Sequence, residues 1–324
     1  MWLVLDRQQR YRRQFELTCT FRDGSDEAAA MVGRGKDGAL VDALAAFDAV
    51  RPRLFGIAYR MLGSVAEAED IVQEAWLRWQ QTERSQVRDP IGFLVTTTSR
   101  LALNAATSAR ARRELYPGPW LPEPVDTAAD PTLQAERNES LELAVLLLLE
   151  RLTPAERAVY VLREAFDYPF RRIGEVLDVS EAYARQLGHR ARTHLAQQRR
   201  EPVGHADRDR LLHAFLAAAR AGELSQLEEL LAETAISYAD GGGAVRAAQL
   251  PVVGRDNVAR YVLGLIRKFG RDLSPEIVES NGQAAILVSR PGTTVALVTI
   301  DASPAGIERV LIILNPQKLA QFQR

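Results

Sequence analysis

Five prolines fall between positions 117 and 131: Pro117, Pro119, Pro122, Pro124 and Pro131. Proline lacks a backbone N–H and its ring collides with the preceding helical turn, so no regular helix passes through this stretch. On both sides of it, apolar residues recur at three- and four-residue steps, the helical period. The chain is therefore cut into a helical block, an extended linker over 116–140, and a second helical block. A length of 324 residues agrees with two or three domains of about 100–200 residues each. The linker also carries Trp120 and Leu121, although a solvated spacer has little use for an indole.

Residues 1–38 show poor periodicity, with Gly33, Gly35 and Gly38 reading as loop, and are expected to form a poorly ordered extension. Asp6, Arg7 and Arg10 interrupt any apolar core of a secretory signal, and Met31 offers a second possible start. The first helical domain spans 39–115. Leu40, Leu44, Phe47, Val50, Leu54, Ile57 and Met61 predict one continuous helix ending at Gly63. Ser64 and Glu67 then form a capping box. The next helix stacks Val65, Ala68, Val72, Ala75 and Trp79 on one stripe and turns Glu67, Asp70 and Glu74 elsewhere. Pro90 opens a third helix, which ends in basic residues. The second domain, 141–201, contains a short buried helix at 143–149 and a capped helix start at Thr153-Pro154-Ala155-Glu156. After Pro202 and Gly204 the sequence changes character. Helices at about 206–221, 223–232 and 256–269 and strands at 235–238, 285–288, 295–300 and 310–314 predict an α+β domain over 205–324.

Charge is balanced overall, with 41 Lys+Arg against 42 Asp+Glu, but it is segregated. Residues 121–150 hold one base and seven acids, and residues 151–200 hold ten bases and six acids. An acidic block directly before a basic one points to an anionic partner for the second and to masking or spacing by the first. The single cysteine, Cys19, excludes a disulfide framework and a multi-cysteine zinc site, and fits a reducing cytoplasm. No apolar run approaches the ~18–20 residues of a membrane span.

The basic block contains a helix–turn–helix pattern. Phe170, Ile173 and Leu177 form one apolar stripe, Asp178-Val179-Ser180 makes the turn, and Ala184, Leu187, Ala191 and Leu195 line a second helix. Ser180, Arg185, Arg190 and Arg192, followed by Arg199 and Arg200, give that helix a basic outer face with no acid between 182 and 200. Such a face suits phosphate and guanine contacts in a major groove, and it is equally the solvated side of a helical hairpin. A second basic cluster, Arg100, Arg110, Arg112 and Arg113, ends the third helix of the first domain. Asp70, Gln73 and Glu74, with Trp76 and Trp79 beside them, suit a basic protein partner, or else a solvated acidic face over a core.

Several motifs in order carry a family resemblance. Asp70-Ile71-Val72-Gln73-Glu74-Ala75-Trp76, preceded by Tyr59-Arg60-Met61-Leu62-Gly63-Ser64, resembles region 2 of bacterial extracytoplasmic-function (ECF) sigma factors. The pattern over 170–197 is similar to their region 4. Trp120-Leu121-Pro122-Glu123-Pro124-Val125, Asp240-Gly241-Gly242-Gly243 and Asn315-Pro316-Gln317-Lys318-Leu319 resemble the ECF subgroup with a fused C-terminal SnoaL-like (NTF2-like) domain. The resemblance implies a multidomain chain: two all-α sigma domains followed by an α+β SnoaL-like domain. It implies that Asp70, Gln73, Glu74, Trp76 and Trp79 bind the β′ clamp helices of core RNA polymerase. Arg100, Asn104, Arg110, Arg112 and Arg113 would meet the promoter −10 element, and Ser180, Arg185, Arg190 and Arg192 the −35 element. Trp120, Leu121, Pro122, Glu123, Pro124, Asp240, Gly241, Gly242, Gly243, Asn315, Pro316 and Lys318 would form a regulatory contact between domains, with no separate anti-sigma factor expected. Asn104 stands where the family usually has aspartate, Ala244 where lysine is usual after the glycines, and Gln317 replaces a common aspartate.

Two other classes stay open on the residues alone: a regulator that binds DNA without polymerase, and a SnoaL-like isomerase or cyclase fused to a DNA-binding module. His189 and His194 lie on the basic helix, and His205 and His213 lie at the start of the tail, so a histidine base on a strand is not expected. Asp240 and Asp301 adjoin turns, where aspartate is routine. No catalytic residue, metal site or cofactor is assigned. The glycine loop 240–243 follows a strand without opening a helix, unlike a nucleotide cradle, and reads as a flexible docking loop. The expectation is that the tail packs on Trp120–Val125 and limits the separation of the helical domains.

Overall fold

The computed structural model describes residues 43–128, 142–196 and 203–323. The expected N-terminal extension, the acidic half of the linker around Pro131, and Arg199 and Arg200 lie outside the described residues.

The first domain begins with a helical segment over 43–48, which gives way to a turn at 49–50 before α1, Arg51–Leu62. One helix running through to Met61 was expected, and Pro52 explains the break. Its ring occupies the space of the carbonyl four residues back, so the chain restarts with proline in the first turn. Gly63 ends α1 in the left-handed region (φ 61°), and Ser64 caps α2, Val65–Gln81, by accepting from the Glu67 N–H at 3.4 Å. The expected stripe Val65, Ala68, Val72, Ala75 and Trp79 is buried. Asp89 caps α3, Pro90–Glu114, which packs across α1 and α2.

The second domain holds α4, Leu143–Leu149; α5, Pro154–Tyr160, which continues as a π-helical turn, Val161–Ala165; α6, Phe170–Leu177; and α7, Glu181–Ala196. Thr153 and Glu156 form a reciprocal capping box. Asp178 ends α6 in the left-handed conformation (φ 57°, ψ 48°), so the α6–α7 pair closes as the expected helix–turn–helix.

The third domain contains α8, His205–Ala221; α9, Leu224–Leu230; β1, Leu231–Asp240; β2, Val252–Val253; α10, Arg255–Phe269; and β3 to β6 (Ser274–Ser280, Gln283–Arg290, Thr293–Ser303, Gly306–Ile313). The six strands lie in the order β2-β1-β6-β5-β4-β3, with β1 and β6 parallel and every other pair antiparallel. Sequence periodicity carried the second helix to 232, but β1 takes over at Leu231. It also missed β2 and β3, both edge strands. Pro275, Glu276 and Glu279 are tolerated in β3 because only one of its edges needs a partner.

Side-chain alternation gives the sheet two buried faces. Ile286, Ile300, Val310 and Ile312 join α8, α9 and α10 in one core. Their neighbours Leu287, Leu297, Leu311 and Ile313 join a second core that runs without interruption into both helical domains. That core includes Leu121 and Val125 of the linker, Leu146 and Leu149 of α4, and Leu319 and Phe322 from the C-terminal turn. The apolar helix α4 thus has its place against the sheet domain as well as in its own. Each fully buried leucine contributes about 1.5–3 kcal/mol.

Asp178 is exposed, so its main constraint is its backbone. Asp178→Gly should leave the urea unfolding midpoint equal or higher. Asp178→Val, a β-branched residue held at positive φ, should lower stability by about 1–2 kcal/mol.

Candidate functional site

The linker passes between the three domains, and two clusters hold it. The first centres on Asp240, the last residue of β1, which is fully buried. Its Oδ1 accepts from the Tyr116 hydroxyl at 2.6 Å and the Gly242 N–H at 3.0 Å, and its Oδ2 accepts from the Leu121 N–H at 2.9 Å and Lys318 Nζ at 2.6 Å. Lys318 Nζ also donates to the Leu121 carbonyl. The Lys318 ammonium lies 4.3 Å from the Trp120 ring, and the Arg113 guanidinium of α3 lies 3.7 Å from the same ring. One indole therefore meets a cation from the first domain and a cation from the third. Burial pulls the Lys318 pKa down, opposed by the Asp240 charge, and burial followed by the Asp240 contact pushes the Tyr116 phenol up.

The motif residues divide by role. Gly242 (φ 60°) brings the loop under Asn315, where a Cβ would stand 2.2 Å from Nδ2 and 3.0 Å from the Tyr116 hydroxyl. Gly243 sits against Pro117. The loop thus packs on the linker at Tyr116 and Pro117. Asn315 donates to the Tyr116 oxygen at 3.0 Å. Pro316 is exposed, and its role is conformational: it follows Asn315 in the turn that brings Lys318 back to the Asn315 carbonyl at 3.0 Å. Leu121, Pro122 and Pro124 are buried.

The second cluster lies at the β3–β4 hairpin tip. Asn281, in the left-handed region (φ 55°), accepts from the Val125 N–H through Oδ1 at 2.9 Å, and its own N–H donates to the Val125 carbonyl at 2.9 Å. Its Nδ2 donates to the Tyr59 hydroxyl at 2.8 Å, which donates to the Glu123 carbonyl at 2.7 Å. The Glu123 carboxylate caps α2, accepting from the Val65 N–H at 2.8 Å and the Ser64 hydroxyl at 3.1 Å. Burial pushes both the Glu123 carboxyl and the Tyr59 phenol up.

The two helical domains also meet directly. Glu150 takes Arg113 on one side and Arg157 on the other, and Arg113 further donates to the Leu62 carbonyl. Arg100 reaches the C-terminal carbonyls of α6, donating to Val176 at 2.8 Å and Glu175 at 3.1 Å. A cation there also suits the helix dipole. Arg110 donates to the Leu152 carbonyl at 3.3 Å, and Arg172 pairs with Asp89 at 3.2 Å. Of the −10 candidates, Arg100, Arg110 and Arg113 are thus engaged across domains, Arg112 pairs with Glu67, and Asn104 is exposed.

On α7, Ser180 caps the helix by accepting from the Tyr183 N–H at 3.1 Å. Arg185 pairs with Glu181 and Arg192 with Glu164, while Arg190 is exposed. On α2, Asp70 and Gln73 are exposed and Glu74 pairs with Arg78 at 2.9 Å. Trp76 and Trp79 are corrections. They are 8% and 2% exposed, Trp76 packs on Phe47, and the Trp79 indole donates to the Ala43 carbonyl at 3.2 Å. Both belong to the core and neither can meet a partner. Leu77, 42% exposed, takes their place on the acidic face.

Asp240 already accepts four hydrogen bonds through its carboxylate, and Asp301 pairs with Arg309 at 2.8 Å. All four histidines lie on α7 and α8. Among the described residues no group of three or more His, Cys, Asp or Glu could hold a metal, and no helix is long and apolar enough to cross a membrane.

A helix–turn–helix with a basic outer face, tied to a second helical module with its own basic helix end and to an α+β domain, defines a multidomain transcription factor. The Sigma-70 region 2 model matches residues 46–112 and the Sigma-70 region 4 model matches residues 142–195. The ECF RNA polymerase sigma factor SigJ of Mycobacterium tuberculosis strain H37Rv is 38% identical over 272 residues, covering 82% of this chain and 86% of SigJ. SigI of the same species is 32% identical over 291 residues, covering 85% and 94%. The crystal structure of M. tuberculosis SigJ overlays with a TM-score of 0.70 at 33% identity, covering 86% of this chain and 98% of that one. The chain belongs to the ECF RNA polymerase sigma factors.

Tyr116, Glu150 and Asn281 escaped the sequence reading, and Tyr59 entered it only as part of the region 2 motif, without an interdomain role. Asn281-Gly282 between two strand patterns was the available signal for a hairpin tip; Tyr116 and Glu150 carried none.

Asp240→Ala leaves a buried ammonium unpaired and should cost about 3–5 kcal/mol. Asp240→Asn combined with Lys318→Met should cost less than Asp240→Ala alone. Urea melts give the stability, and hydrogen exchange at the Leu121 and Val125 amides reads release of the linker.

Proposed function

We propose that this sigma factor is held closed by its own C-terminal domain, and that it directs core polymerase to promoters once its helical domains separate. The Asp240–Lys318–Trp120 cluster carries this reading, because it binds the linker between the DNA-reading modules to the sheet domain. In this reading Asp70, Gln73, Glu74 and Leu77 form the face for the β′ clamp helices. The basic end of α3, with Arg100, Asn104, Arg110, Arg112 and Arg113, meets the −10 element, and melting there captures unstacked bases at a few kcal/mol per step. Helix α7 enters the major groove of the −35 element, with Ser180 positioning the helix start and Arg185, Arg190 and Arg192 supplying charge. The fused domain acts in place of a separate anti-sigma factor, and the protein works in the cytoplasm.

Three of the cations assigned to the −10 element are engaged across the domain boundaries in the closed chain. DNA binding and closure then compete for the same groups, and separation must come before full promoter contact. An exposed surface pair such as Arg192–Glu164 is worth only about 0–1 kcal/mol and exchanges readily for a phosphate.

The test is run-off transcription with purified core polymerase on the promoter upstream of the chain's own gene. Trp120→Ala should raise transcript yield severalfold over the unaltered chain. Asp70→Arg with Glu74→Arg should abolish both transcription and capture of core. Unchanged yield from Trp120→Ala would remove the inhibitory role. In promoter binding, Arg190→Ala should lower the magnitude of the salt-dependence slope by about one if it contacts phosphate.

A further inference from the structure

Closure does not treat the surfaces of the first domain alike. The hydrogen bonds that hold this domain to the linker and the sheet domain gather at one end of α2, at Tyr59, the Gly63 carbonyl, the Ser64 hydroxyl and the Val65 N–H. The acidic face runs the other way. Asp70, Gln73, Glu74 and Leu77 follow the i, i+3, i+4, i+7 spacing of one helix side. Leu77 lies twelve residues beyond Val65, about 18 Å along the axis. Asp70 and Gln73 are exposed, Leu77 is 42% exposed, and among the described residues the one ion pair on this face, Glu74 with Arg78, is local to the helix. The remaining acids of α2 are occupied within the first domain, Glu67 by Arg112 and Glu69 by Arg51.

We infer that the closed chain already presents its polymerase-binding face, so that core polymerase docks on α2 before the linker is released. The inference rests on the assignment of this face to the β′ clamp helices. The chemistry fits a helical partner with basic side chains around an apolar contact for Leu77. Closure engages Arg100, Arg110 and Arg113 across the domain boundaries and leaves the docking face free: the domain inhibits promoter contact without inhibiting recruitment.

A thermodynamic consequence follows. A ligand that binds the closed and open states equally well shifts nothing between them, however tightly it binds. Docking at α2 therefore does not open the chain. Opening requires a contact that differs between the states, at the second domain or with promoter DNA. Recruitment and activation become separate steps on one polypeptide.

The experiment uses the full chain, the full-length opened variants Asp240→Ala and Trp120→Ala, and a purified β′ clamp-helix fragment as the probe. Fluorescence anisotropy measures binding, and energy transfer between dyes at positions 80 and 193 reports separation of the helical domains. The fragment is expected to bind the closed chain and whichever opened variant folds with affinities within about threefold, and to leave energy transfer in the closed chain unchanged. Binding to an opened variant more than about tenfold tighter, or fragment-induced loss of energy transfer in the unaltered chain, overturns the inference. Asp70→Arg is introduced into an opened variant to test the underlying assignment. If the fragment binds that double variant undiminished, the α2 face is not the docking site, and both readings fall; if binding is lost there while the closed chain fails to bind, only the accessibility of the face is wrong.

Discussion

The structure depends on a carboxylate and an ammonium buried together beside an indole. Asp240 and Lys318 are taken out of water at 2.6 Å, and Trp120 lies between Lys318 and Arg113. Desolvating such a pair offsets much of its Coulombic attraction, so the pair alone gives little net stability. Its significance lies in how its partners are distributed. Tyr116, Trp120 and Leu121 come from the linker, Arg113 from α3, Asp240 from the end of β1, and Asn315 and Lys318 from the turn after β6. Removing one participant strands the others in an apolar setting, where an unpaired charge is far more expensive than a weak pair. The cluster consequently favours two conditions of the linker, fully seated or fully released, over anything between.

Cation placement extends the same logic to the DNA-reading surfaces. A nearly neutral chain that must contact phosphate needs its arginines free at the right moment, and here many of them already have anionic or carbonyl partners. The pairs fall into two grades. Arg185 with Glu181 and Arg192 with Glu164 are solvent-exposed and exchange a carboxylate for a phosphate at little cost. Arg113 is half-enclosed by Glu150, the Leu62 carbonyl and the Trp120 ring, and cannot leave while the linker is seated. Under the proposed assignment, the cations of the −35 face are held by exposed pairs, whereas one cation of the −10 face, Arg113, is enclosed.

Much of this arrangement was legible in the sequence, for reasons that differ by residue. The helix–turn–helix could be read because its apolar stripe, its turn and its cap are local, and Asp178 does take the left-handed conformation its position demands. The interdomain role of Trp120 and Leu121 could be suspected because large apolar groups in a proline-rich spacer have no local use. The tryptophans of α2 misled because the resemblance assigned them to a partner although the spacing already put Trp79 on the buried stripe, and Trp76 lies one helical step from Ala75 on that same stripe. Tyr59 and Glu150 were illegible because their partners are Asn281, more than two hundred residues away, and Arg113 on another domain. Contacts of that kind are set by how finished domains meet, which local pattern does not encode.

The position of α4 bears on how the sheet domain meets the helical domains. A mixed sheet with one face covered by its own helices leaves the other face in need of cover, and Leu287, Leu297, Leu311 and Ile313 make that face apolar. In this chain the cover comes from the linker, the C-terminal turn and α4, all joined in one apolar cluster. Releasing the linker therefore uncovers leucines on the sheet as well as breaking the polar clusters at Asp240 and Asn281. The apolar area gives closure its strength without direction, whereas the buried hydrogen bonds of Asp240 and Asn281 fix which linker residue sits where. A chain with the apolar contact alone would close in several registers. The two polar clusters, holding Leu121 and Val125 at fixed points of the sheet, select one.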